Sequence, residues 1–102
     1  KDYKGAIEDY SKVISIDPTY ENYMAFNNRA GCKSELKDFQ GAVADYSEII
    51  KANPEGGFLT IALNNRGVAK AQAKDKSACE DFRKAKELGD SSSDDLISRY
   101  CK

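Results

Sequence analysis

DYKGAIEDYSKVISIDP, residues 2–18, returns as DFQGAVADYSEIIKANP, residues 38–54, and that recurrence decides the fold. The two stretches align without gaps at an offset of 36, with eight identities in seventeen positions. Several replacements are conservative: Tyr3 for Phe39, Ile7 for Val43, Val13 for Ile49. A third, more divergent copy follows at the same offset, where Ala78, Asp81, Phe82 and Ala85 match Ala42, Asp45, Tyr46 and Ile49. Between the copies a different segment recurs, Asn27-Asn28-Arg29 and Asn64-Asn65-Arg66, at an offset of 37. Two segments repeating in alternation define a two-part unit, the mark of a repeat array.

Each part reads as a helix. In the second part of the unit, Ala6, Tyr10, Val13 and Ile14 make an apolar stripe on a 3.6-residue period. Asp2 and Asp38 stand where an N-cap accepts from the first free amides, and Pro18 and Pro54 close the helices. The first part, residues 19–36 and 57–73, carries Tyr23, Phe26, Ala30 and Leu36, then Leu63, Gly67 and Ala69. Polar links as short as Lys37-Asp38 and Lys74-Asp75 force antiparallel neighbours, so the unit is a helical hairpin. Gly89 is placed to end a helix. After it, Asp90 to Ser93 supply caps, Asp94 and Asp95 favour the helix dipole, and Leu96, Ile97 and Tyr100 form one stripe. That is the pattern of a capping helix with Arg99 and Lys102 near its end, covering the last repeat.

The fold class is therefore all-α: antiparallel helical hairpins in one domain, closed by a C-terminal capping helix over residues 90–102.

Composition narrows the function. Sixteen basic and seventeen acidic residues leave a net charge of −1, which offers no counterion-release drive toward nucleic acid or anionic membrane. No apolar run approaches the length of a membrane span. Cys32, Cys79 and Cys101 form no CxxC pair, and without histidine they suggest no metal site. They are expected to be reduced, mostly buried side chains, with a Cys79–Cys101 bridge left open. Phosphate loops after a strand and nucleophile elbows are absent, so neither an enzyme nor a cofactor is expected. The opening at Lys1, inside a repeat, suggests trimmed upstream sequence; a cytoplasmic setting is favoured, with the bacterial periplasm also open.

Ala6-x-x-x-Tyr10 with Pro18, and Ala42-x-x-x-Tyr46 with Pro54, resemble the second helix of the tetratricopeptide repeat. Leu63-x-x-Arg66-Gly67 and, less closely, Phe26-x-x-Arg29-Ala30 resemble its first helix, in the Asn-Arg-Gly variety of bacterial members. The linkers after Pro18 and Pro54 are longer than the family norm, and Asp90 stands where proline is expected. The resemblance implies an α-solenoid of about two and a half repeats whose first helices line a concave groove, with residues 1–18 the second helix of a partial repeat and 19–54 and 55–89 two repeats. Carried over residue by residue, groove positions fall on Met24, Asn27, Asn28, Gly31, Ser34 and Glu35. In the next repeat they fall on Ile61, Asn64, Asn65, Val68, Ala71 and Gln72. The implied partner is a protein or peptide.

The residues qualify that expectation. Asn28 and Asn65 can bond a ligand backbone through donor and acceptor, or simply be solvated or tie helices together. Gly31 either lets a ligand approach closely or is a displaced repeat glycine whose packing role falls to Ala30; the second reading is preferred. Positions where family members clamp acidic tails hold Met24, Asn27, Ile61 and Asn65, so a partly apolar ligand is expected instead. Arg29 and Arg66 are expected to pair with the recurring Asp9, Asp45 and Asp81, and Tyr10, Tyr46 and Phe82 to lie in the core. The alternative function is self-association, another copy covering the face of Ile7, Tyr10 and Ile14 to give a homo-oligomer through the N-terminal helix.

Overall fold

The computed structural model describes residues 2–52 and 57–101. Pro54 and Lys102, which the sequence reading used, lie outside them. Six helices follow in order: α1 Tyr3–Ile16, α2 Tyr20–Glu35, α3 Phe39–Ala52, α4 Phe58–Gln72, α5 Ala78–Glu87 and α6 Ser93–Tyr100. No strand occurs among the described residues.

The helix ends follow from local chemistry. Asp2 and Asp38 accept from the amides of Gly5 and Gly41 at 2.8 and 2.9 Å, satisfying donors that the first turn leaves free. α2, α4 and α5 each end in paired bonds that turn the chain back, such as Asp38 N to Lys33 O and Lys37 N to Ser34 O. The turning residues are Lys37, Lys74 and Gly89, all with positive φ. Three links then repeat one device: Asp17, Asp75 and Asp90 each accept from the amide and hydroxyl of Thr19, Ser77 and Ser92, two residues on. Hydrogen bonding to Ser77 holds the Asp75 carboxyl below its usual pKa.

Each helix packs against the next, giving two right-through layers of hairpins. The first helices of successive units, α2, α4 and α6, also touch one another, whereas α1, α3 and α5 do not. Helices that converge on one side and diverge on the other curve the array, so the inner face belongs to α2, α4 and α6.

The core runs between the layers, with Phe26, Ala30, Ala42, Tyr46, Ile49, Ala62 and Ala69 in one cluster. Phe82 is fully buried because Gly67 lies against it: a Cβ there would come within 2.8 Å of Phe82 Cδ1. Ala30 takes the corresponding place against the Tyr46 unit, as the sequence implied, and is itself fully buried. Tyr10 departs from expectation. It is only half-buried, and none of the described residues of α1 is buried.

Candidate functional site: the inner face of the first helices

A recurrent ionic joint sets the positions of the first helices. Arg29 on α2 grips Asp45 on α3 with two parallel bonds, Nε to Oδ2 at 2.9 Å and Nη2 to Oδ1 at 2.7 Å. Its remaining nitrogen donates to Ser11 Oγ on α1 at 2.9 Å, so one guanidinium joins three helices. Lys33, one turn on, reaches the same carboxylate at 3.3 Å. One repeat later Arg66 grips Asp81 at 2.8 and 2.7 Å, donates to Ser47 at 3.1 Å, and is backed by Lys70 at 3.3 Å. Both aspartates are buried, and their hydrogen bonds raise the pKa of each arginine. The expected Arg–Asp pairing is thus structural at both sites. The serine and lysine partners were missed, although their signal was present: Asp-Tyr-Ser and Arg-x-x-x-Lys both recur in the sequence.

A second line of contacts runs across the first helices. Asn65 Nδ2 on α4 donates to Asn27 Oδ1 on α2 at 3.2 Å. On the next interface Ser93 Oγ on α6 donates to Asn64 Oδ1 at 2.9 Å, and Asn64 Nδ2 donates to Asp90 Oδ2 at 3.0 Å. Asn64 is therefore corrected: it was expected on the groove, but it is buried with both ends of its amide engaged. Those bonds also account for an aspartate at position 90, since proline there could satisfy neither Asn64 nor Ser92.

The other expected residues distribute unevenly. Met24 and Ile61 are 39% and 47% exposed, each a turn ahead of the Asn27–Asn65 pair on its own helix. Gly31 is open, with nothing within 4 Å of where a Cβ would stand. Ser34 and Val68 are partly exposed and Gln72 is exposed. Glu35 instead accepts from Tyr3 Oη on α1 at 3.2 Å. Asn28 lies beside Tyr10, Val13 and Met24 at a cavity of about 150 Å³ and makes no bond to α4.

At the far end the structure corrects the cysteines. Cys79 on α5 and Cys101, just past α6, are joined in a disulfide, and only Cys32 is free. The return of α6 across α5 brings their Cα atoms to 5.8 Å despite 22 residues of separation, a span that a disulfide bridges. Among the described residues no cluster of His, Cys, Asp or Glu could hold a metal, and no helix is long and apolar enough to cross a membrane.

Alternating antiparallel helices, joined by a repeated salt bridge and curved toward their first members, define a helical-repeat scaffold with an all-α, tetratricopeptide-like fold. The tetratricopeptide repeat family model matches residues 1–20, which supports a protein of that family. No curated protein sequence and no solved structure matches the chain.

Proposed function

We propose that the inner face of α2 and α4 binds an extended, partly apolar segment of a protein partner. The observation that carries this reading is the Asn27–Asn65 bond flanked by exposed Met24 and Ile61. With one bond made between them, Asn27 retains free N–H donors and Asn65 a free carbonyl acceptor. Donor and acceptor side by side match the C=O and N–H of a peptide group. Met24, Ile61 and Val68 give that peptide's side chains an apolar surface, and open Gly31 permits its backbone to come close. Catalysis forms no part of this reading. The Asn64-Asn65-Arg66-Gly67 run supports grouping the chain with the Asn-Arg-Gly variety of bacterial members.

The test is selection of peptides from a displayed random library on the whole chain, followed by calorimetric titration. Selected peptides should lose about tenfold or more in affinity on Met24→Asp or Ile61→Asp, with unchanged circular dichroism. Peptides indifferent to both substitutions would remove the groove from consideration.

A further inference from the structure

The disulfide between α5 and α6 lies at the floor of a cleft rather than in the core. Cys79 and Cys101 are both only partly buried, and both line a cleft of about 520 Å³ with Lys76, Arg83 and Tyr100. That volume falls in the range of small-molecule sites. Lys76 and Arg83 are exposed, and neither enters an ion pair among the described residues. Lys74 adds a third exposed cation in an adjoining cleft of about 220 Å³, which Lys76, Cys79 and Tyr100 also line. The nearby carboxylates are engaged elsewhere. Asp75 accepts from the amide and hydroxyl of Ser77, and Asp81 is buried between Arg66 and Lys70. Glu80 lines a different cavity, with Leu63 and Lys84. Positive charge therefore dominates around the two sulfurs.

Those sulfurs are not equivalent. Cys79 is the second residue of α5, and the N-cap, Ser77, gives its hydroxyl to Asp75 rather than to the first turn. A thiolate there faces the positive end of a helix as well as Lys76 and Arg83. Cys101 follows the last residue of α6, at the negative end of that helix. Arg99 stands in the last turn of α6 but lines neither cleft. In thiol–disulfide exchange the sulfur whose thiolate is better stabilised leaves faster. The Tyr100 carbonyl oxygen, 3.8 Å from Cys79 Sγ, opposes charge on that sulfur, but it belongs to the segment that breaking the bond frees.

We propose that this bridge is an exchange site for small anionic thiols, carboxylate-bearing thiols of the glutathione class. The incoming thiolate, drawn to Lys76 and Arg83, attacks Cys101 Sγ with its own electron pair. The Cys79–Cys101 bond breaks, and Cys79 leaves as a thiolate with the pair of that bond. The products are a mixed disulfide at Cys101 and a thiolate at Cys79, so the exchange needs no other oxidant or reductant. The start of α6 stays in place, because Ser93 is fully buried and bonded to Asn64. Cys79 therefore remains near the adduct and can attack Cys101 Sγ in turn, expelling the small thiol and closing the bridge. The α2–α4 groove plays no part in this chemistry, so the two readings can fail independently.

The test treats the whole oxidised chain with limiting glutathione at low salt, stops the reaction with excess N-ethylmaleimide, and maps each cysteine by mass spectrometry. Glutathione should be found on Cys101 and N-ethylmaleimide on Cys79. At equal thiolate concentration glutathione should react about fivefold or more faster than cysteamine, whose ammonium group the cleft repels. Lys76→Glu combined with Arg83→Glu should erase that preference; both side chains are exposed, and the melting curve of the oxidised variant checks its fold. Four results would each overturn the inference: glutathione on Cys79, equal rates for the two thiols, a preference that survives the double substitution, or a bridge that opens only in urea.

Discussion

Gly31 and Gly67 sit in two equivalent helices one register apart, and the packing around them assigns opposite consequences to the same substitution. Glycine within a helix costs roughly 1 kcal/mol relative to alanine. At Gly31 nothing meets an added Cβ, so Gly31→Ala should stabilise the chain by up to about 1 kcal/mol. At Gly67 the Cβ collides with the Phe82 ring, and Gly67→Ala should destabilise by about 1–3 kcal/mol through overpacking. Urea denaturation of both variants checks the pair; equal signs would refute this account of the core. The sequence carried the pattern glycine at 67 and the displaced glycine at 31, and preferred Ala30 for the packing role. Only the position of the Phe82 ring shows why 67 must stay small.

At the scale of the helix pair, stability concentrates in the joints of Arg29 and Arg66. Their carboxylate partners are buried, so removing one side strands a charge rather than merely losing a contact. Arg66→Met should cost about 3 kcal/mol, less whatever Lys70 recovers at 3.3 Å from the same carboxylate. Adding Asp81→Leu should return most of that loss, because the burial penalty leaves with the charge. Chemical denaturation of the two singles and the double closes the cycle; additive losses would contradict the pairing. The rhythm of Arg and Asp was readable because both recur at nearly one period. Which Asp each Arg takes was not, since Asp9 shares the rhythm and takes neither. The answer depends on which helix follows each arginine in space.

For the molecule as a whole, α6 is tied to the preceding hairpin covalently. Cys79–Cys101 spans 22 residues and ties the last turn of α6 to α5, while Tyr100 stacks on Phe82 with ring centres 5.7 Å apart. A bridge over a loop of that length restricts the unfolded chain by about 3 kcal/mol. Cys101→Ser should lower stability by about that amount, and the variant's melting temperature should no longer respond to reductant. If the parent melts identically with and without reductant, the bridge contributes nothing to the fold. α6 itself was expected as a cap; the covalent closure was not, because two cysteines 22 residues apart reveal no distance until α6 turns back.

By itself, the sequence determined what is periodic. Alternating apolar stripes, Asp N-caps and short links dictate helices and antiparallel hairpins locally, and two registers of 36 and 37 residues dictate that the hairpins stack. These are properties of neighbours along the chain, so composition and spacing suffice to specify them. Tertiary structure decided which chemically identical residues differ. Asn64 is buried between Asp90 and Ser93 while Asn27 keeps spare donors, and Asp81 is gripped while Asp9 stands open. Equivalent residues receive different partners because successive first helices meet different neighbours: α2 is followed in space by α4, whereas α4 is followed by the short helix α6 with its own serine and aspartate.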